Sequence, residues 1–340
     1  MAERERTERD GGTASSRRDR PAPNLPDGVL LVAKEPGPTS HDIVALVRRL
    51  SGVRRVGHGG TLDPFAAGVL PVFVGQATRL AEYHLGDDKE YRALVAFGAR
   101  STTDDLEGEL TASDAPAPDR AAVEQALVGL TGRIEQVPPD YSAVHVGGRR
   151  AYELARHGRK PELRPRTVTI HALTLTEWDA SDVQRPVATV EVRCSAGTYV
   201  RSLARDLGEQ LGCGAYLAAL TRTASGPFRL DAARPLEQVR TALAAGRGAA
   251  LLLPLDAGLD LPTVKLGGRE LGALLKGQVV AAEAPPGEAT ADSSAASSTA
   301  GDERLVRVTD ERGRLVAMAR WRAGRLHPDK VLQPPAVQPR

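Results

Sequence analysis

Hydrophobic and polar positions change period several times along the chain. Val29-Leu30-Leu31-Val32 is a short continuous apolar run, which predicts a buried strand. Gly37-Pro38-Thr39-Ser40 then turns the chain and caps a helix whose apolar face is Ile43, Val44, Val47 and Leu50. Tyr91, Ala93, Val95 and Phe97 alternate with other residues in the two-residue period of a strand. Ala121 to Leu130 reads as an amphipathic helix behind a capping Asp119. The segments 138–146, 167–178 and 187–194 are β-rich by composition and alternation. Thr198 to Leu211 reads as a helix with Val200, Leu203, Ala204, Leu207 and Leu211 in one stripe, ended by Gly212. Together these segments predict an α+β fold built on a mixed, mostly antiparallel sheet.

The periodicity also divides the chain. Residues 1–24 carry almost nothing apolar and are expected to be a disordered tail. A first unit spans 25–253. A smaller β-rich unit spans 254–333, with Val264, Leu266, Leu271, Leu274 and Leu275 as its first apolar positions. Within it, 281–303 is a low-complexity Ala/Ser/Glu/Pro segment, expected to be a disordered insertion. Leu305 to Val308 and Leu315 to Trp321 are expected to pair as strands across Asp310-Glu311-Arg312-Gly313. A short tail, 334–340, follows. Arg307, Arg312, Arg314, Arg320, Arg322 and Arg325 make the end of the chain locally basic. With a net charge of only +2, any nucleic-acid footprint has to come from such a patch. Cys194 and Cys213 are the chain's two cysteines, and no Cys/His cluster with ligand spacing occurs, so no metal is expected. The sequence shows neither a secretory leader nor an apolar run of membrane length, which points to the cytoplasm.

The candidate chemistry lies in GHGGTLDPFAAGVLPV, residues 57–72. An Asp-Pro after Gly-Gly is ordinarily turn punctuation. Here three glycines leave the backbone open to a ligand, His58 and Thr61 flank Asp63, and Ala66-Ala67-Gly68 allows tight packing behind it. A rigid, accessible carboxylate of this kind can serve as a nucleophile. It needs a cation if it is buried. Arg201, just off the apolar stripe of its helix, can supply one, with its guanidinium fork placed to hold the carboxylate bidentately. Tyr199 precedes it by two residues, and Tyr91 opens the alternating strand. Two tyrosines, an arginine and an aspartate suit a planar polar substrate such as a nucleobase. Glycoside hydrolases typically use two carboxylates, and only Asp63 stands out in the sequence.

The same residues resemble the TruB family of bacterial tRNA pseudouridine-55 synthases. The resemblance runs in order from about 28 to 230. It takes in Lys34 with Gly37-Pro38-Thr39-Ser40, the 57–72 stretch, Gly75-Gln76-Ala77-Thr78-Arg79 and Lys89-Glu90-Tyr91. It continues through Ser101, Thr103, Asp105 and Gly108, then Gln136-Val137-Pro138-Pro139 and Tyr141-Ser142-Ala143. Cys194-Ser195-Ala196-Gly197-Thr198-Tyr199-Val200-Arg201 and Leu220-Thr221-Arg222 complete it. The chain departs from the family pattern at Ala33-Lys34-Glu35, His145 and Thr221. The resemblance implies a catalytic domain of the pseudouridine-synthase type with a PUA-like RNA-binding domain after it. It implies Asp63 as nucleophile, Arg201 as its partner and Tyr91 stacked on the target base. Tyr199 and Leu220 would line the uridine site, and His58 would lie beside the base. It further implies an enzyme acting on the T loop and elbow of tRNA as a monomer, without metal or organic cofactor. A tRNA-binding folding helper that needs no catalysis is the alternative; it would not need Asp63.

Overall fold

The computed structural model describes residues 25–285 and 303–332. The disorder expected of 1–24, of 334–340 and of most of 281–303 falls outside the described residues. The architecture is α+β, as the periodicity predicts.

The first strand, β1 (Gly28–Lys34), is buried on both sides. Leu30 and Val32 pack with Ile43 and Val47, while Val29 and Leu31 pack with Phe73 and Phe228. The helix α1 (Ser40–Ser51) starts in a capping box in which Thr39 and Asp42 bond each other's backbone. There follow β2 (Val56–His58), β3 (Ala67–Val74), β4 (Lys89–Phe97), α2 (Arg120–Gly129), β5 (Gly132–Gln136), β6 (Arg166–Asp179), β7 (Val187–Cys194), α3 (Val200–Gln210) and β8 (Ala215–Ser225). Asp119 caps α2, accepting a hydrogen bond from the amide of Ala122. The main sheet has eleven strands, and its central order is β1-β3-β8-β4-β7-β6-β5. Its pairings are antiparallel except β3 with β8 and the short Arg234–Pro235 strand beside β1, which are parallel. Helices α2 and α3 cover one face.

One close approach positions the site. Gly68 of β3 lies against the backbone of Arg222 in β8, where a Cβ would stand 2.3 Å from the Arg222 carbonyl oxygen, and its φ is +123°. Only glycine fits there. The crossing brings β8 beside the loop that carries Asp63.

The expectation of strand over 138–146 is not met. Only His145–Val146 pairs, with Arg149–Arg150, and the strand proper is β5, just upstream. Pro138 and Pro139 have no N–H for a ladder, and the carbonyls of Val137 and Tyr141 bond the side chains of α3 instead.

A second sheet forms from β9 (Thr263–Lys265) and, after the short helix Gly268–Leu274, from β10 (Val280–Ala281), β11 (Arg304–Thr309), β12 (Leu315–Arg322) and β13 (Arg325–Val331), in the order β9-β11-β12-β13-β10. Asp310 accepts from the amides of Arg312 and Arg314 and so shapes the β11–β12 turn. Ala281, expected to begin the disordered insertion, belongs to this sheet, and Ala282 is bonded to it. Ala281 pairs with Arg325, and the Ala282 carbonyl accepts from the indole of Trp321. The second sheet packs on the first unit through Leu80, Leu259, Met318 and Leu332. Tyr83 donates to Asp329 at 2.6 Å, Lys330 pairs with Glu82 at 2.8 Å, and Arg307 pairs with Asp256 at 3.2 Å. Among the described residues no helix is long and apolar enough to cross a membrane.

Candidate active site

Asp63 sits in the loop between β2 and β3, and buried cations hold that loop by its carbonyls. Lys34, at the end of β1, donates to Pro64 O at 3.0 Å and Ala66 O at 2.6 Å. Arg222 is only 1% exposed and donates to Val69 O at 3.0 Å, Gly60 O at 3.2 Å and Thr61 O at 3.4 Å. The Ser40 hydroxyl accepts from the Leu62 amide at 2.9 Å. The carboxylate that emerges from this frame keeps 33% of its side-chain surface open. The sequence asks for an accessible carboxylate here, and a third of this one is open.

Arg201, in the first turn of α3, reaches Asp63 with Nε 2.9 Å from Oδ2; its side chain is 5% exposed. The expected bidentate fork is not formed. Nε meets Asp63 off the N–H axis, as an ion pair rather than a hydrogen bond. The terminal nitrogens are occupied elsewhere. Nη1 donates to Thr103 O at 3.1 Å and lies 3.4 Å from Asp105, and Nη2 donates to Tyr141 O at 2.9 Å. A second carboxylate therefore stands at the site, contrary to the sequence reading. Asp105 is 4% exposed, and its Oδ1 accepts from the Thr103 hydroxyl and the Glu107 amide. Buried and bonded in this way, it orients Arg201 and is not open to a substrate.

Burial pushes the Asp63 carboxyl above the usual carboxylate range; Arg201 opposes this, Asp105 adds to it, and Lys34 opposes it more weakly. The open third of the side chain remains hydrated, which limits the push. Burial also lowers the Lys34 ammonium to about 8, against the pull of Asp63.

Tyr91, in β4, stands opposite Arg222 of β8 and Val192 of β7. Leu220 stands opposite Ala93, two residues further along the same face. Tyr91 is half-buried at its surface while its hydroxyl is enclosed. That enclosure pushes the hydroxyl pKa up, with Arg222 offsetting part of the rise. Leu220 is buried in the main core. His58 ends β2, and its Nδ1 accepts from the Gly60 amide at 3.3 Å. Burial and Arg222 lower its pKa, which favours the neutral ring.

Tyr199 is the N-cap residue of α3. The side-chain amide of Gln136 grips its backbone at both ends, donating to Tyr199 O at 3.1 Å and accepting from Tyr199 N at 2.8 Å. The Arg166 guanidinium lies over its ring, 4.5 Å from the centroid.

The fold thus joins Asp63 and Arg201 directly. Tyr91, Leu220 and His58 gather around Arg222, which braces the Asp63 loop, and Tyr199 lies on the Arg201 side. Among the described residues no hydrogen bond or ion pair links Tyr199 or His58 to Asp63. Lys34, Asp105, Gln136 and Arg222 complete the site, and the sequence reading gave none of them a role. The usable signal was a charged or amide group set among apolar positions, as in Ala-Leu-Thr-Arg-Thr-Ala. Among the described residues no group of His, Cys, Asp and Glu is arranged to hold a metal.

Comparison with known proteins bears on this geometry. The TruB family pseudouridylate synthase N-terminal domain matches residues 48–200, and the tRNA pseudouridylate synthase B C-terminal domain matches 201–260. tRNA pseudouridine synthase B of Symbiobacterium thermophilum is 54% identical over 253 residues, covering 74% of this chain and 82% of the relative. Its counterpart in Cupriavidus metallidurans is 41% identical over 319 residues, covering 92% and 97%. A solved Cbf5-Nop10-Gar1 complex superposes with a TM-score of 0.66 at 26% identity, covering 90% of this chain and 85% of that one.

Proposed function

The chain belongs to the TruB family and is an RNA pseudouridine synthase, and we propose that it isomerises uridine-55 in the T loop of tRNA with Asp63 as nucleophile. The observation that carries this reading is the Asp63 carboxylate, fixed in a braced loop and in contact with the Arg201 guanidinium at 2.9 Å.

A uridine stacked in a folded loop is out of reach and must be flipped out, at a cost of a few kcal/mol. Tyr91 offers its ring as the new stacking partner, which returns about 1–3 kcal/mol. Leu220, Tyr199 and His58 enclose the base. The N1–C1′ bond then breaks, the uracil turns, and C5 bonds to C1′. C5 loses a proton and N1 gains one, so the composition of the RNA is unchanged. Throughout, the uracil has to stay in the pocket, and the carboxylate has to stay ionised and aimed. Arg201 and Lys34 favour the ionised form of Asp63, and the loop clamps fix its direction. The second sheet acts as a PUA-like grip on more distant tRNA, and the enzyme works as a monomer in the cytoplasm.

The test is to incubate the protein with an unmodified tRNA transcript and map the pseudouridines formed. Modification at position 55, lost in Asp63→Asn while tRNA binding persists, is the expected result. Modification elsewhere refutes the site assignment, and a near-normal rate in the variant refutes the nucleophile.

A further inference from the structure

We propose that Arg166 is a positioning residue for Tyr199, acting with Gln136 to fix one wall of the uridine slot; this rests on the reading that Tyr199 lines that slot. Arg166 opens β6 directly opposite Gln136 of β5 in the antiparallel ladder. The two paired residues address the same tyrosine from different sides. The Gln136 side chain, fully buried, holds the Tyr199 amide and carbonyl. The Arg166 guanidinium covers the ring, with Cζ 4.5 Å from its centroid. That distance lies within the roughly 6 Å range of a cation–π contact.

Two further observations support positioning rather than a general surface role. The Arg166 Nε is buried and has no hydrogen-bond partner, so no acceptor holds this nitrogen and the ring is the group it lies over. The Tyr199 ring takes its orientation from what packs on it, and the Arg166 guanidinium is one such group. Tyr199 stands immediately before α3, and Arg201 lies in the first turn of that helix. A ring free to swing would open the slot on the side where Arg201 meets Asp63.

The test uses the full chain and four variants: Arg166→Met, Arg166→Lys, Tyr199→Leu, and Arg166→Met combined with Tyr199→Leu. Single-turnover pseudouridine formation is measured at saturating tRNA, and tRNA affinity is titrated against salt. Arg166→Met is expected to lower the saturating rate about tenfold, the loss of one cation–π contact. Affinity and its salt dependence should stay unchanged. The lysine variant should recover part of the rate, because an ammonium also binds a ring face. In the Tyr199→Leu background the Arg166→Met change should have no further effect. An equal loss in both backgrounds overturns the proposal. So does a weaker affinity with a shallower salt slope and an intact rate, which would make Arg166 a phosphate contact. Tyr199→Leu alone at full rate would instead remove Tyr199 from the slot, a failure of the underlying reading that the coupling measurement keeps separate.

Discussion

Replacing Arg201 by methionine tests whether the active-site carboxylates depend on one buried cation. Methionine fills much of the same volume and makes none of the polar contacts. The guanidinium it removes is 5% exposed and contacts Asp63, Asp105 and the carbonyls of Thr103 and Tyr141. Asp63, a third open, can turn to water and adds little to the loss. Asp105, 4% exposed, cannot. Its Oδ1 keeps Thr103 and Glu107, but its Oδ2 loses its cation. Removing one partner of a buried pair costs about 3–5 kcal/mol, or about 6–20 °C in melting temperature at 2–4 °C per kcal/mol. The assay is urea and thermal unfolding beside single-turnover pseudouridine formation. Adding Asp105→Asn to Arg201→Met should return part of the stability, because the stranded charge is gone, while the rate stays low. An unchanged unfolding midpoint refutes the pairing, and strictly additive losses refute the assignment of the cost to Asp105.

Four other outcomes follow from the same geometry. The saturating rate should fall on acidification at a pH above the usual carboxylate value of 3.8, because burial raises Asp63 and only its ionised form is nucleophilic; a profile flat to about pH 4 would contradict this. Lys34 titrates near 8 when folded and near 10.5 when unfolded, so the unfolded chain binds the extra proton between these values. Over that window its contribution to stability rises with pH, while its grip on the loop and hence the rate decline; a Lys34→Met variant should show neither trend. Arg222→Met should strand the carbonyls of Val69, Gly60 and Thr61 at about 1–3 kcal/mol each; an unaltered melting temperature and rate would show that the loop does not depend on it. Arg322→Glu with Arg325→Glu should weaken tRNA binding and lower the log–log salt slope by about 0.7–0.9 per lost phosphate contact; equal slopes would remove this hairpin end from the RNA interface.

The sequence was informative where one period dominates. The β1 run, the α1 capping signal, the alternation from Tyr91 to Phe97 and the α3 stripe each rest on local residues, and the fold keeps each one. Asp63 was legible because its neighbours, three glycines and two alanines, have few structural uses in combination. The stretch after β5 was not legible. Its apolar and aromatic residues have strand composition, but its carbonyls serve Arg201, Ser202 and Arg205 across separations of 60 to 68 residues. The undivided Arg201 fork failed for the same reason. Nothing local to Arg201 reveals that Thr103, Asp105 and Tyr141 converge on it. Buried polar groups whose partners come from distant parts of the chain leave only one trace in the sequence, a charge where an apolar residue would be expected.

The basic C-terminal patch changes character once the fold is known. Of the six arginines from 307 to 325, Arg307 pairs with Asp256, Arg314 with Asp310 and Arg320 with Glu303. Arg312, Arg322 and Arg325 have no charged partner among the described residues, and Arg322 pairs with Arg325 across the end of the β12–β13 hairpin. Two guanidinium groups without a charged partner at an exposed hairpin end are a compact candidate for phosphate contact, whereas six spread over a sheet would be a diffuse one. The same sheet is also bonded to the segment after β3, through Tyr83, Glu82 and the Arg79 side chain at the Val331 carbonyl. That segment continues the strand whose Val69 carbonyl Arg222 holds. Cutting the chain near Pro254 would expose Leu80 and release the far end of β3. A fall in rate after such a cut would therefore say nothing about where the chemistry lies. Substitutions confined to the hairpin end leave this packing intact, so a change they cause in binding can be assigned to contact with RNA.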